Sequence, residues 1–218
     1  VDRYGAVNSA YSLDGTNDSI ETDTLTVPMN TYTYSMWVRP DRQQEDGFAA
    51  FISRNKIPSD NKNLNWFGLH PNSNFLLFQT KSVTQGTADW LESDRDAIAF
   101  DQWSHFTWSY DGSIARIYLN GQLIKSGPTP QASPSTSYQL NIGRDYAVNA
   151  EFLRGLVDEV RIYGRALSAA EVAKLHTFEK PPVIITQPTH QTVGAGSTVT
   201  LTADANGTGL NYQWYRNG

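Results

Sequence analysis

The alternation of apolar and polar positions predicts a chain built mainly of short β-strands. Between residues 103 and 127, Asp111-Gly112 and Asn120-Gly121 each separate two strand-like runs, and both dipeptides favour tight hairpin turns. A meander of three strands is therefore expected there. Six further runs are aromatic or β-branched and are bounded by turn residues, at 34–40, 48–54, 65–71, 75–80, 138–144 and 152–163.

One short helix is predicted after the last strand, over residues 168–176. Ser168 has the position of an N-cap, and Glu171 completes a capping box three residues later. Leu167 and Val172 occupy the apolar staple positions that flank the cap. Many strands and a single helix predict an all-β fold, a two-sheet antiparallel sandwich with one short C-terminal helix.

The strand around residue 158 carries an acid where the pattern predicts a buried face. Alternate residues of a strand share a face, and the face of Asp158 is otherwise apolar, formed by Leu156, Val160 and Ile162. An unpaired buried carboxylate is costly. We therefore expect Asp158 to have a partner.

Composition excludes several classes of function. The 218 residues carry a net charge of −5 without a basic stripe, which argues against a nucleic-acid partner. No apolar run approaches the roughly 20 residues of a membrane span. The chain has no cysteine, so disulfides and thiolate metal sites are absent. No signal peptide is visible in the given sequence.

Catalysis is not expected from the arrangement of acids and histidines. Asp158 and Glu159 are adjacent and face opposite ways, so this strand lacks the closely spaced carboxylate pair of a retaining glycosidase. The four histidines are scattered and lack companion motifs. We predict that the protein is not an enzyme.

Five separated segments agree in order and spacing with one known family. The segments are SAYSLDGTNDSIE (9–21), YSMWVRP (34–40), WSHFTWSYDGSIARIYLNGQL (103–123), LNIGRD (140–145) and FLRGLVDEVRIYGRALSAAEV (152–172). They resemble the laminin G-like, concanavalin A-like jelly-roll family of bacterial multidomain proteins. The resemblance covers roughly residues 5–176 and implies a jelly-roll sandwich.

The tail resembles the first half of a bacterial immunoglobulin-like domain. Its segments PPVIITQP, GSTVTLTADA and YQWYRNG carry the likeness, which makes Trp214 the core tryptophan of that domain. The resulting division is a laminin G-like domain at 1–178, a linker at 179–182 and an incomplete immunoglobulin-like β segment at 183–218.

The family resemblance also suggests a partner for Asp158. In the family the first and last strands are neighbours, which would put Asp158 near the turn of Asp14, Gly15, Asn17 and Asp18. Such oxygen ligands suit Ca²⁺, and we expect a structural calcium ion there. The alternative is a polar network, in which the turn side chains bond their own backbone and Asp158 accepts backbone N–H bonds or pairs with an arginine, Arg144 or Arg154.

The function expected from the resemblance is carbohydrate binding without catalysis. The candidate ligand-binding residues are Trp90, Tyr146, Trp66 and Arg54. Trp90 lies in a polar, loop-like stretch, Tyr146 in a loop, and Trp66 at the start of a strand. The expected partner is a polysaccharide or glycan. The alternative is a structural or adhesive spacer module that binds no glycan. Either module would belong to a secreted or cell-surface protein, beside immunoglobulin-like and catalytic domains in the same chain.

Overall fold

The computed structural model describes residues 1–24, 30–44, 47–56, 63–70, 75–81, 88–129, 138–145, 150–177, 183–206 and 212–215. The chain forms two units, Val1–His176 and Thr177–Gly218. None of the helical structure in these described ranges is long and apolar enough to cross a membrane.

Twelve strands and one helix make up the described part of the first unit. The strands are β1 (Tyr11–Asp14), β2 (Ile20–Glu21), β3 (Tyr32–Pro40), β4 (Ala49–Lys56), β5 (Asn63–His70), β6 (Phe75–Lys81), β7 (Ala88–Glu92), β8 (Ser104–Tyr110), β9 (Ile114–Leu119), β10 (Gln122–Pro128), β11 (Tyr138–Ile142) and β12 (Arg154–Tyr163). The first sheet has the strand order β1-β12-β3-β8-β9-β10, and the second has β2-β11-β4-β5-β6-β7. Every pairing is antiparallel, so the predicted two-sheet sandwich is confirmed.

The inner faces of the two sheets form one hydrophobic core. One register row of the second sheet runs across all six of its strands into this core, through Ile20, Ile142, Ile52, Phe67, Phe78 and Leu91. Trp108 of the first sheet packs against the second, with its ring centroid 4.7 Å from that of Phe67 and 4.1 Å from that of Phe78. These contacts fix which face of each strand points outward, because successive side chains alternate.

The hairpins form where the turn dipeptides predict them. Gly112 has a φ of +99°, and it follows Asp111 between β8 and β9. Asn120 and Gly121 have φ values of +50° and +79° between β9 and β10. Two successive residues with positive φ are the mark of a type I′ turn, which matches the twist of the flanking strands.

The helix α1 (Ala169–His176) begins with the predicted capping box. The N–H of Ser168 donates to the Glu171 carboxylate at 2.9 Å, and the N–H of Glu171 donates back to Ser168 Oγ at 3.4 Å. Val172 is fully buried and packs in one cluster with Tyr118, which lies on the outer face of the first sheet. The helix therefore covers that face.

A β-bulge in β12 makes the predicted face of Asp158 wrong. The pairing with β3 shifts register between Asp158 and Arg161, and Glu159 has a φ of +48°. Asp158 stands opposite Trp37 on the outer face, whereas Val160 packs against the core. The extra residue moves the alternation of the strand by one position. The acid and the apolar residues after it therefore lie on opposite faces.

The second unit has one pair of strands in its described part, β13 (Val183–Thr186) and β14 (Asp204–Asn206), which are antiparallel. None of its described side chains is buried, and Trp214 is 54% exposed. A single two-stranded ladder, as the described residues show it, has no second sheet on which to bury an apolar face. Within those residues Trp214 does not occupy the core position expected of it.

Candidate functional site

The outer face of the second sheet carries a row of polar and aromatic residues. The row lies one residue along each strand from the buried isoleucine and phenylalanine row, so it faces away from the core. Its members pair directly across the six strands in the order Glu21, Asn141, Ser53, Trp66, Gln79 and Trp90. Five strand spacings give the row a length of about 24 Å.

Trp90 is the exposed aromatic residue of this row. It lies in the edge strand β7 and is 50% exposed. The loop predicted around it is wrong in this part, because residues 88–92 pair with β6. Gln79 stands directly opposite Trp90 and is partly exposed. The pair offers an apolar ring face next to an amide that can donate and accept hydrogen bonds.

Trp66 lies on the same outer face but is only 2% exposed. Its indole extends over Gly68, where an added Cβ would lie 2.7 Å from the ring. Phe48 packs edge-on against it with a centroid separation of 6.0 Å. The Trp66 Nε1–H is buried and has no hydrogen-bond partner in the described ranges. Trp66 therefore packs within this face, and its ring is not exposed to a ligand.

One predicted ligand-binding residue, Arg54, does not lie on this face. Arg54 is 1% exposed and lies inside the sandwich, with its guanidinium 4.3 Å from the centre of the Tyr138 ring. Its burial removes it from contact with a surface ligand, so that assignment is corrected. The sequence run around Arg54 does not show which side of β4 faces the core, because a register shift lies between Ala50 and Ile52. Tyr146 lies outside the described residues.

The opposite end of the row is polar and was not identified from the sequence. Asn141 is fully buried between Glu21 and Ser53, and in the part of the chain that the structure describes, both atoms of its side-chain amide lack a hydrogen-bond partner. The Arg144 guanidinium forms an ion pair with Glu21. The alternation in LNIGR, with Leu140 and Ile142 in the core, was the signal that could have placed Asn141 on the outer face.

The turn at Asp14–Asp18 is organised by its own backbone. The Asp14 Oδ1 accepts the N–H groups of Thr16, Asn17 and Asp18 at 2.7, 3.1 and 3.4 Å. These hydrogen bonds hold the pKa of Asp14 below its usual range. The Asp18 Oδ2 accepts the N–H of Asp14 at 3.1 Å. This is the geometry of the polar-network alternative.

Asp158 does not join this turn. Asp14 pairs with Arg154 of β12, and Asp158 lies four residues farther along that strand, a distance of about 13 Å. Its Oδ1 accepts the N–H of Glu159 at 2.8 Å, and burial raises its pKa above the usual value. In the described part of the chain, no three acidic, histidine or cysteine side chains are grouped closely enough to hold a metal ion. The five predicted ligands thus do not fit a single ion.

A buried histidine lies on the outer face of the first sheet, beneath other groups. His105 is fully buried, and its Nε2 lies 2.8 Å from Ser35 Oγ. Burial lowers the pKa of His105 to about 3, and the nearby positive charge of Arg3 and Arg161 and the ring of His176 add to this effect. Both His105 and Ser35 are fully buried, so neither side chain is open to a surface ligand in this structure.

Solved structures show the same fold. Domain 4 of AbnA, a GH43 extracellular arabinanase from Geobacillus stearothermophilus in complex with arabinotriose, matches with a TM-score of 0.60 and 24% identity, covering 79% of this chain and 78% of that chain. The SAP-like pentraxin of Limulus polyphemus matches with a TM-score of 0.58 and 17% identity, covering 76% and 80%. The Ruminococcus gnavus IT-sialidase CBM40 bound to alpha2,3 sialyllactose matches with a TM-score of 0.61 and 10% identity, covering 78% and 97%.

The family follows from the sequence itself. No curated protein matches the chain at a significant level. A family model described as the concanavalin A-like lectin/glucanases superfamily matches residues 14–173, which is most of the chain. The protein therefore belongs to the concanavalin A-like lectin/glucanases superfamily, as the laminin G-like motifs predict.

Proposed function

We propose that the first unit is a non-catalytic carbohydrate-binding module of an extracellular multidomain protein. The observation that carries the proposal is the half-exposed indole of Trp90, held next to Gln79 on the outer face of the second sheet. Sugar rings present apolar C–H faces and hydroxyl groups, and a flat aromatic ring beside an amide complements both. A strand fixes the orientation of both side chains, so the surface is preformed.

The structural neighbours support a carbohydrate as the ligand. One is in complex with arabinotriose, and another is bound to alpha2,3 sialyllactose. The arrangement of acids supports a role without catalysis. The Glu159 carboxylate is engaged by Arg3 at 3.2 Å and by Arg161 at 3.4 Å, and its neighbour Asp158 is occupied by a backbone N–H. The two carboxylates therefore do not form the acid pair that a glycosidase uses.

The test is glycan binding by the full chain and by a Trp90→Ala variant. A glycan array identifies a bound sugar, and titration calorimetry then compares the affinities. We expect Trp90→Ala to weaken binding about tenfold, which corresponds to ~1.4 kcal/mol. Trp214→Ala is the matched control, since Trp214 is a similarly exposed tryptophan in the second unit.

Two results would contradict the proposal. If Trp90→Ala binds the glycan as tightly as the original chain does, the binding site does not include Trp90 on the outer face of the second sheet. An array on which no glycan is retained would favour the structural or adhesive spacer instead.

A structural calcium ion is proposed only for the turn Asp14–Asp18. The oxygens that would hold it are Asp14 Oδ2, Asp18 Oδ1 and the carbonyl of Gly15, because the other two carboxylate oxygens accept backbone N–H groups. Binding to the folded state raises the melting temperature. We expect EDTA to lower the melting temperature and Asp18→Asn to abolish that difference. A melt that EDTA leaves unchanged would support the polar network alone.

A further inference from the structure

Arg144 contacts both register neighbours of Asn141 at the polar end of the outer row. The carbonyl oxygen of Arg144 accepts a hydrogen bond from Ser53 Oγ at 3.0 Å, on one side of Asn141. The guanidinium of Arg144 pairs with the Glu21 carboxylate on the other side. Ser53 and Glu21 are the two direct register neighbours of Asn141. Gly143, with a φ of +86°, turns the chain onto this face.

The side chain between these two neighbours is a buried amide. Asn141 is 0% exposed, and within the described residues neither its amide nitrogen nor its amide oxygen has a hydrogen-bond partner. Burying an amide in this way destabilises the folded state, because the amide has given up its bonds to water. The amide nitrogen can donate two hydrogen bonds, and the oxygen can accept two. A polar ligand that reached Asn141 would satisfy groups that the protein leaves unsatisfied.

The ion pair next to Asn141 is reached from the side of Glu21. The Glu21 side chain is 42% exposed, whereas that of Arg144 is 14% exposed, so a ligand approaches the Arg144 guanidinium from the exposed carboxylate. An ion pair with an exposed partner contributes modestly to stability. The planar guanidinium of arginine can donate two parallel hydrogen bonds to a carboxylate. A carboxylate on a ligand can therefore take the place of the Glu21 carboxylate without loss of charge pairing.

We propose that this end of the row is a subsite for a sugar residue that bears a carboxylate. The ligand carboxylate replaces Glu21 on Arg144, and the displaced arginine uncovers Asn141. The Asn141 amide then bonds to the hydroxyl groups of the same sugar. This inference rests on the proposed carbohydrate-binding function and specifies the chemistry of its ligand. Trp90 lies at the far end of the same row, about 24 Å away, so the two ends would contact different residues of one chain of sugars.

The test compares acidic oligosaccharides with their methyl esters, which keep the shape and lose the charge. Calorimetry is carried out on the full chain with oligogalacturonate, oligomannuronate and sialyllactose. We expect at least one acid to bind and its methyl ester to bind about tenfold more weakly, because only the acid forms charged hydrogen bonds with Arg144. Glu21→Gln removes the competing carboxylate and should tighten binding of the acid severalfold, with no effect on the ester. Arg144→Gln should weaken binding of the acid about tenfold.

Two control variants separate this site from general effects of charge and folding. Arg116→Gln breaks the ion pair with Asp111 on the first sheet, and it should leave the affinity unchanged. Asn141→Ala removes the unpartnered amide. It should weaken binding of the acid, yet leave the melting temperature unchanged or raise it, because no hydrogen bond in the folded protein is lost.

The outcomes distinguish the subsite from the function on which it rests. Equal binding of an acid and its ester, or no gain of affinity in Glu21→Gln, would overturn the subsite while leaving a Trp90-dependent glycan site intact. A lower melting temperature of Asn141→Ala would also overturn it, since it would show that the amide is part of the folded network. The absence of binding to any glycan, acidic or neutral, would overturn the proposed function and the subsite together.

Discussion

Acidification is expected to destabilise the first unit through His105. The imidazole is fully buried on the outer face of the first sheet, with Ser35 Oγ 2.8 Å from Nε2 and no partner at Nδ1 among the described residues. The groups that face it are His176 of the helix, Arg3 of the N-terminal segment and Arg161 of β12, which disfavour a further positive charge. A proton on His105 would therefore add an uncompensated charge to a covered site.

The size of the effect follows from the two pKa values. His105 has a pKa of about 3 in the folded chain, whereas an unfolded histidine titrates near ~6.5. The folded pKa is the lower one, so the unfolded state takes up the proton first as the pH falls. Stability is complete above about pH 6.5 and is lost progressively between about 6.5 and 3. At pH 5 the loss amounts to about 2 kcal/mol, or ~4–8 °C in melting temperature for a domain of this size.

The assay is denaturant unfolding at pH 7.5 and pH 5, followed by tryptophan fluorescence. The variant His105→Gln keeps a hydrogen-bonding group near Ser35 and removes the titration. We expect the original chain to lose about 2 kcal/mol more than His105→Gln between the two pH values. His190→Gln, in the second unit, is the matched control and should behave as the original chain. If the free energy of unfolding depends on pH equally in the original chain and in His105→Gln, protonation of His105 does not cause the loss of stability.

Two further substitutions test local features of the fold by thermal melting. Ser168→Ala removes the N-cap of the helix and should cost about 1 kcal/mol, or ~2–4 °C, and an unchanged melt would show that the helix is held by its buried face alone. Gly68→Ala places a Cβ 2.2 Å from the backbone oxygen of Ala49 and 2.7 Å from the ring of Trp66, and it should cost ~1–3 kcal/mol. Gly47→Ala, which meets no described atom within 4 Å, should be neutral, and similar melts for the two would contradict the close packing of the neighbouring strand and the indole around Gly68.

Local chemistry made several elements predictable from the sequence. The hairpin turn at Asn120-Gly121 and the capping box at Ser168 depend only on neighbouring residues, and both form as predicted. The sandwich itself follows from the number of strands and their turns. The turn and the capping box are determined by a few consecutive residues, so they can be predicted without knowing the strand order.

Features that depend on register could not be predicted in this way. The face of Asp158 changes because one extra residue enters β12, and the alternation alone does not reveal a bulge. Arg54 is an ordinary cation in the sequence, yet it lies among buried tyrosines. The row from Glu21 to Trp90 joins six segments far apart in the chain, and only the strand order of the second sheet brings them together.

Glycan binding at Trp90 is tested most directly by a titration that follows the indole N–H signals of the six tryptophans. A ¹H–¹⁵N spectrum of the full chain is recorded while the best-bound glycan from the array is added. We predict a shift of the Trp90 signal, with the signals of the buried Trp108 of the core and the exposed Trp214 of the second unit unchanged. A glycan that shifts Trp214 and leaves Trp90 unmoved would contradict a binding site on the outer face of the second sheet.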